Sequence, residues 1–209
     1  MKLVFDIFLI VLFFGAFGFI HSFLASAKIK KNITAQAGNK IAFYRLFYNV
    51  TSVITFIAFY ELAPKPDGLI YELKPPYDII AFIIESVLVL IIVWVFRYMD
   101  IAEFLGISQI NRYYKGTYNT DALDAVQKLE IKGPFKISRH PVYFFSILFL
   151  GIRSYMDVFY LVFFLCLTAY FYIGAYYEEK KLLAQFGEEY ANYMKTTPKI
   201  FPIKFLPFL

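Results

Sequence analysis

The sequence predicts an all-α integral membrane protein with five transmembrane helical segments, the last two forming a helical hairpin, and a C-terminal amphipathic surface helix. The first observation is composition, because 60% of the 209 residues are hydrophobic, whereas soluble domains contain about 45–50% apolar residues. The second observation is that these residues lie in long runs, which is the pattern of membrane spans. The third is an uneven distribution of lysine and arginine between the connecting segments.

The apolar runs predict the spans, and their ranges are 3–26, 42–62, 79–98, 142–151 and 158–177. The fourth run is short, because at 1.5 Å per residue it covers roughly 15–20 Å of about 30 Å of hydrocarbon. We therefore expect its helix to begin below the membrane surface, after irregular backbone that protein buries or a cavity hydrates. Pro141 suits the first position of this helix, where its missing N–H costs nothing.

The first run has an alternative interpretation as a secretory signal, because Ala25-Ser26-Ala27 has the small-x-small form of a cleavage site. Its apolar core is longer than the roughly 7–15 residues of a signal core. Lys28, Lys30 and Lys31 follow and resist translocation. A membrane span is therefore the preferred interpretation.

The segments between the runs are predicted from their polar and turn-forming residues. Residues 28–45 form a basic loop, and residues 64–76 form a turn-rich loop. Residues 99–132 are polar and mixed, with a loop at 111–116 and a short helix at 121–129. From Glu178 an apolar stripe at helical spacing predicts the amphipathic helix, and its members are Leu182, Leu183, Phe186, Tyr190 and Tyr193.

Charge asymmetry predicts the orientation. Seventeen of the 21 lysine and arginine residues lie in segments that are cytoplasmic if the N-terminus is outside. Since cytoplasmic loops are enriched in these residues, we expect the N-terminus outside and the C-terminus inside. The same bias explains the net charge of +5, so nucleic acid is not an expected partner and the lipid bilayer is.

Cysteine and histidine usage argues against several kinds of site. The single cysteine, Cys166, lies in an apolar run and has no cysteine with which to form a disulfide. Two histidines without metal-ligand spacing make a protein-built metal site unexpected. The polar residues of interest instead gather at the cytoplasmic ends of the spans, and they include Arg139 with His140, Glu178 with Glu179, His21, and Arg45 with Asn49.

Several motifs follow one another in fixed order in the second half of the chain: Gly133-Pro134-Phe135, Arg139-His140-Pro141-x-Tyr143, Glu178-Glu179, Phe186-Gly187-x-x-Tyr190 and Pro198. This series resembles the integral-membrane methyltransferase superfamily, which includes isoprenylcysteine carboxyl methyltransferase and the phospholipid N-methyltransferases. In the first half, His21-Ser22 and Tyr44-Arg45-x-x-Tyr48-Asn49 resemble the branch that contains methanethiol S-methyltransferase, NnrU and nurim.

The resemblance implies an S-adenosylmethionine-dependent methyltransferase, with residues 1–98 as a three-helix scaffold and 99–209 as the cofactor-binding core of one compact bundle. It also implies a bacterial inner membrane rather than a eukaryotic endomembrane. The expected cofactor-binding residues are Phe135, His140, Pro141, Val142, Tyr143, Tyr177 and Glu178, with backbone at 127–130. A helix N-terminus with free N–H groups suits the cofactor carboxylate, and tyrosine rings suit the sulfonium.

Methyl transfer to a thiol or amine requires alignment and a nearby base. The candidate bases are His21, His140 and Glu179, and the candidate substrate-binding residues are Arg45, Asn49 and Arg139. His21 has a structural alternative as a hydrogen-bonding group inside the bundle. Arg45, Asn49 and Arg139 have one as anchors at the headgroups. Taken alone, Glu178 and Glu179 are also consistent with acidic residues that complement the dipole at a helix N-terminus.

Two positions depart from the family pattern. Phe145 stands where the family often has glycine, and Gly174 stands where prenylcysteine methyltransferases have an arginine for the substrate carboxylate. Without that cation, a substrate carboxylate would lose its hydration and gain no ion-pair partner, which costs free energy. We therefore expect a small thiol or another small lipophilic acceptor. The alternatives are a non-enzymatic protein like nurim or NnrU, or methylation of prenylcysteine or a phospholipid amine.

Overall fold

The computed structural model describes residues 1–120 and 128–202, and about 75% of it is helical. The helix predicted at 121–129 and the backbone predicted at 127–130 therefore lie wholly or partly outside the described residues. The helices are α1 (Lys2–Ala25), α2 (Ala27–Ala37), α3 (Tyr44–Leu62), α4 (Tyr77–Phe96), α5 (Ile101–Leu105), α6 (Ile107–Tyr114), α7 (Pro141–Gly151), α8 (Val158–Phe186) and α9 (Glu188–Thr196). Short 3₁₀ turns cover Gly38–Phe43 and Gly133–Lys136, and the strands are β1 (Leu69–Glu72) and β2 (Tyr155–Asp157).

Each of the five predicted apolar runs forms a helix. Among the described residues, four helical segments are long and apolar enough to cross a membrane, and they are Lys2–Ala25, Ala27–Leu62, Tyr77–Phe96 and Val158–Phe186. The fifth, α7, has 11 residues, so it spans about 16 Å. The structure thus has several long apolar helices, and the count of five crossings stays a prediction.

The basic segment predicted as a loop at 28–45 is instead largely helical. Ser26 caps α2, because its hydroxyl accepts a hydrogen bond from the N–H of Ile29 at 3.4 Å, and such caps supply a partner for a free N–H. The loop predicted at 111–116 is also helical as far as Tyr114. There Arg112 forms a two-pronged ion pair with Glu103 of α5, at 2.8 and 2.9 Å. Local capping and pairing therefore produced helices that apolar periodicity does not reveal.

A two-stranded antiparallel sheet departs from the predicted all-α class. β1 pairs with β2, with Leu69 opposite Asp157 and Glu72 opposite Tyr155. The strands lie in the two segments predicted as turns, at 64–76 and between α7 and α8. Asp157 then begins α8 by accepting a hydrogen bond from the N–H of Tyr160 at 2.7 Å.

The described residues form two compact units, and neither is continuous in sequence. The first contains residues 1–65 and 100–120, and the second contains residues 66–99 and 128–202. In the first unit α1 packs on α3 through aromatic side chains, with Phe17 and Phe56 at 5.3 Å between ring centroids. The division predicted at residue 98, and the single bundle, stay predictions.

In the second unit α4 packs on α7, and α7 packs on α8. Ile147, Ala175 and Ile200 form a buried apolar cluster that joins α7, α8 and the segment after α9. α8 continues without a break to Phe186, so the predicted change of helix at Glu178 does not occur. The break falls at Gly187, whose φ of +54° favours glycine.

Candidate functional site

The N-terminus of α7 is held by the segment that follows α9. The N–H of Arg139 donates to the carbonyl of Pro198 at 2.9 Å, and the N–H of His140 donates to the carbonyl of Lys199 at 3.0 Å. The buried hydroxyl of Ser138 donates to the same Lys199 carbonyl at 3.0 Å. The cradle of free N–H groups predicted here therefore does not include the N–H of His140, because the chain's own carbonyl already uses it.

Arg139 and Glu179 form a buried ion pair. Nε of Arg139 donates to Oε1 of Glu179 at 2.7 Å, and each side chain is 7% exposed. Nη1 of Arg139 also donates to the carbonyls of Met194, at 3.0 Å, and Thr197. This arginine, a candidate substrate-binding residue, therefore ties α8 and the end of α9 to the start of α7.

Two further basic groups approach Glu179. Nζ of Lys199 lies 3.2 Å from its Oε2, and Nε2 of His140 lies 3.4 Å from its Oε1. A carboxylate shared by several cations is strongly held in its ionised form. Glu179, a candidate base, is thus engaged on both of its oxygens.

Glu178 has a different environment, because adjacent residues of a helix point about 100° apart. Its side chain is 50% exposed. Its Oε2 lies 3.5 Å from Nδ1 of His140 and accepts a hydrogen bond from the hydroxyl of Tyr143 at 3.3 Å. Glu178 is therefore oriented by two neighbours while half of its surface remains open to a ligand.

His140 lies between the two carboxylates, and its side chain is 5% exposed. Burial by itself lowers the pKa of its imidazole, but hydrogen bonding and charge from Glu178 and Glu179 outweigh burial, so the pKa is raised above its ordinary value. The cationic form of His140 is therefore favoured while both carboxylates are available to it.

Three rings form a continuous stack beside Glu178. The rings of His140 and Tyr143 are 5.3 Å apart and nearly parallel, at 4°. The rings of Tyr143 and Phe171 are 5.0 Å apart at 10°. Such a flat aromatic surface next to a carboxylate suits a ligand that combines a cation with a planar group.

The other predicted cofactor-binding residues differ in how far they are exposed. Pro141 is buried at the first position of α7, and Val142 is half-buried beside it. The carbonyl of Phe135 accepts a hydrogen bond from the hydroxyl of Tyr193. Tyr177 is 60% exposed, so its ring is open to a ligand or to lipid.

His21 belongs to the first unit, where it joins α1 to α3. The hydroxyl of Ser52 donates to the carbonyl of Tyr48 at 2.7 Å, so its oxygen is left to accept from Nδ1 of His21, at 2.8 Å. Nε2 of His21 then accepts from the hydroxyl of Tyr48 at 2.5 Å. This assignment makes His21 a neutral imidazole with both nitrogens hydrogen-bonded.

The candidate substrate-binding residues Arg45 and Asn49 lie one helical turn apart on α3. Both donate to the carbonyl of Phe104 near the end of α5, Arg45 Nε at 3.3 Å and Asn49 Nδ2 at 2.9 Å. They therefore satisfy a carbonyl that a short helix leaves unpaired. Substrate binding by Arg45 and Asn49 stays a prediction.

Sequence reasoning missed Lys199 and Ser138, which both contact the start of α7 or its carboxylate partner. Lys199 is a single basic residue between Pro198 and Pro202. That position is the one sequence feature that could have marked it as a site residue. Among residues 1–120 and 128–202, no three histidine, cysteine, aspartate or glutamate side chains gather as a metal site would require.

Three curated proteins similar to this chain are each named methanethiol S-methyltransferase. The protein from Pseudomonas deceptionensis is 39% identical over 88 residues, which are 39% of this chain and 34% of that protein. The one from Crocosphaera subtropica is 29% identical over 123 residues, or 58% and 44% of the two chains. The one from Bradyrhizobium diazoefficiens, named methanethiol S-methyltransferase 1, is 24% identical over 195 residues, or 92% and 65%.

The match therefore spans from about a third to just under two thirds of the length of these relatives. No family model matches the chain, and no solved structure matches it. All three relatives carry the name of a methyltransferase.

Proposed function

Because these relatives support the membrane methyltransferase family of the NnrU and isoprenylcysteine carboxyl methyltransferase type, we propose that the chain is an S-adenosylmethionine-dependent methyltransferase. The proposed acceptor is a small thiol or another small lipophilic molecule. The observation that carries the proposal is the half-exposed Glu178, oriented by His140 and Tyr143 beside a three-ring stack.

The residues of this cluster fit the chemistry of the cofactor. S-adenosylmethionine, when bound, supplies an electrophilic methyl group on a sulfonium, together with an ammonium, a carboxylate and a planar adenine. Glu178 offers a carboxylate to the ammonium. The rings of Tyr143 and Phe171 offer faces to a cation or a flat group, and a cation–π contact contributes about 0.5–2 kcal/mol.

The remaining cofactor-binding residues are proposed on sequence resemblance and position. Pro141 and Val142 begin α7 next to His140, where the partial positive charge of a helix N-terminus favours a carboxylate. Phe135 and Tyr177 complete the proposed set. His140, at the start of α7, orients Glu178 through the 3.5 Å approach of its Nδ1 to Oε2.

The candidate bases differ in what their surroundings allow. Glu179 is paired with Arg139 and Lys199. To accept a proton from the substrate, its carboxylate would first have to break one of these ion pairs. His21 has both nitrogens hydrogen-bonded within the first unit. We therefore favour His140, because sharing Glu178 with an ammonium weakens the interaction that raises the pKa of His140.

The proposed acceptor is small and neutral because of the surroundings of Tyr143. A side chain added at Gly174 would place its Cβ 3.7 Å from the hydroxyl of Tyr143, so this position faces the same cluster. Glycine provides no positive charge there to pair with a substrate carboxylate, and no side chain to fill the space. A carboxylate-bearing acceptor would be desolvated there without a partner. The names of the relatives support a thiol.

The long apolar helices indicate an integral membrane protein. Beyond that, we propose five membrane segments, with the N-terminus outside, the C-terminus in the cytoplasm, and a bacterial inner membrane as the location. The lysine and arginine bias supports this orientation.

Transfer of a labelled methyl group from S-adenosylmethionine tests the function directly. The purified protein in detergent or nanodiscs is given small thiols, small amines and a prenylated cysteine in parallel. We expect labelled product with small thiols and none with the prenylated cysteine. Product from the amine or the prenylated cysteine alone would reject the proposed acceptor, and no product from any of them would favour a non-enzymatic protein.

A further inference from the structure

A second basic residue reaches the carboxylate pair from the end of the described chain. Lys199 follows α9, and its Nζ lies 3.2 Å from Oε2 of Glu179. Its side chain is 23% exposed and that of Glu179 is 7% exposed. The ion pair is therefore mostly shielded from water, which makes it stronger than a pair at a free surface.

The backbone of Lys199 is fixed as firmly as its side chain. Its carbonyl accepts hydrogen bonds from the N–H of His140 and the hydroxyl of Ser138, each at 3.0 Å. The next residue, Ile200, is fully buried in the apolar cluster with Ile147. Lys199 thus contacts His140 through its backbone carbonyl and Glu179 through its side-chain ammonium.

We propose that Lys199 is a positioning residue of the cofactor site, which holds Glu179 and thereby limits how strongly His140 is bound to the carboxylate pair. This inference rests on the proposed binding of S-adenosylmethionine at Glu178. Glu179 is shared by Lys199, Arg139 and His140, so loss of one cation leaves its charge to the other two. His140 then becomes a more persistent cation beside Glu178.

A persistent cation at His140 competes with an incoming ammonium for the same carboxylate. The other groups around His140 are Arg139 before it, Tyr143 on α7, and Glu178 and Glu179 on α8. Tyr190 on α9 interacts with the same carboxylates and with Arg139. Lys181 adds positive charge near Glu178. Two effects therefore accompany the loss of Lys199: His140 keeps its proton to higher pH, and cofactor binding weakens.

Titration of His140 by NMR tests the inference without any cofactor. The chain has two histidines, so a protein labelled with ¹³C at histidine gives two ring signals, and the His140→Asn variant identifies one of them. We expect Lys199→Met to raise the pKa of His140 by about half a unit or more. Lys199→Arg restores the cation and is expected to return the titration to that of the wild type.

Calorimetric titration with S-adenosylmethionine at neutral pH gives the second readout. We expect Lys199→Met to weaken binding about threefold, because a shift of half a pKa unit changes the ratio of protonated to neutral His140 by about that factor, and Lys199→Arg to restore it. Lys195→Met is the matched control, because Nζ of Lys195 is exposed and donates to Oδ1 of Asn192 at 3.1 Å. It should leave both readouts unchanged.

The outcomes separate this inference from the proposed function. Wild-type cofactor affinity in Lys199→Met, or an unshifted His140 titration, overturns the positioning role of Lys199 alone. A wild-type protein that binds no cofactor overturns the proposed function and this inference with it. If Lys199→Met does not fold, as judged by its thermal transition, Lys199→Gln repeats both measurements with a side chain that can still donate a hydrogen bond.

Discussion

Glu178 and Glu179 are adjacent in the chain, yet their carboxylates meet different partners. Glu179 is 7% exposed and is held by Arg139 and Lys199. Glu178 is 50% exposed and is oriented by His140 and Tyr143. The turn of about 100° between neighbouring helical residues causes the difference. One carboxylate therefore supports the local structure while the other is available to a ligand.

The raised pKa of His140 predicts a pH-dependent stability. A group whose pKa is higher in the folded state stabilises the fold fully below its unfolded value, here about 6.5, and loses this contribution as pH rises through the folded value. Each unit of difference corresponds to about 1.4 kcal/mol.

The wild type should therefore lose thermal stability as the pH rises above about 6.5 and through the raised folded-state pKa of His140. His140→Asn should show a flatter profile over the same range. Scanning fluorimetry in detergent measures both, and two parallel profiles would show that His140 is not the titrating group.

His21 is predicted to stabilise the packing of α1 on α3, because its two nitrogens bond Ser52 and Tyr48 across the pair. Hydrogen bonds between membrane helices contribute about 0.6 kcal/mol on average, so His21→Ala should cost about 1 kcal/mol of unfolding free energy. In a cycle with Tyr48→Phe the two effects should be less than additive. Loss of methyl transfer at unchanged stability would instead support the catalytic role proposed for His21.

Among the elements, the segment after α9 connects parts of the second unit that are distant in sequence. Its carbonyls at Pro198 and Lys199 hold the start of α7, and Ile200 fills the core between α7 and α8. Prolines at 198 and 202 predict the end of a helix, but they do not reveal these contacts. The elements that carry the site are therefore held together by a non-helical segment.

The connection between α5 and α6 depends on Gly106. Its φ is +92°, and an added Cβ would lie 2.8 Å from the backbone nitrogen of Leu46 and 3.0 Å from Cβ of Arg45. Gly106→Ala should therefore destabilise the protein by about 2 kcal/mol or more, from backbone strain and overpacking together.

Gly15→Ala is the matched control for Gly106→Ala, since Gly15 is within α1 and an added Cβ would meet nothing within 4 Å. Alanine also favours helix over glycine by about 1 kcal/mol. Denaturation in detergent should rank the variants with Gly106→Ala least stable. Equal stability of the two would contradict the close packing of this turn on α3.

At the scale of the molecule, the sequence allows the apolar helices to be located to within a few residues of either end, apart from the far end of α8, because hydrocarbon demands long uninterrupted runs. The joining segments were less predictable. Ser26 and the Glu103–Arg112 pair produce helices from polar residues, and β1 pairs with a strand about 85 residues further on, which no local pattern reports.

The candidate site shows the same limit. The motif residues at 139–143 and at 178 and 179 were identified from their order in the chain, and the structure brings them together. The pairing of Arg139 with Glu179 was not predictable, because the two residues are 40 positions apart and an arginine at a membrane surface is also consistent with anchoring. Only the folded chain shows which cation meets which carboxylate.

The proposed orientation predicts the behaviour of fusions to the two ends. A fluorescent protein that matures only in the cytoplasm should be bright when fused to the C-terminus, and an epitope at the N-terminus should be cleaved by protease added to spheroplasts, whose outer membrane has been opened. Replacing Lys28, Lys30 and Lys31 by glutamine should weaken this orientation, because those charges flank the first span. Protection of the N-terminal epitope would reverse the assignment.

Calorimetric titration of the purified wild type and of Glu178→Gln with S-adenosylmethionine tests whether the Glu178 carboxylate binds the cofactor. We expect saturable binding to the wild type and binding weaker by about tenfold or more in Glu178→Gln, because a charge-assisted bond to the ammonium is lost. Glu188→Gln, on α9, is expected to bind as the wild type does. No binding to the wild type at millimolar cofactor, or equal affinity of wild type and Glu178→Gln, would contradict the account.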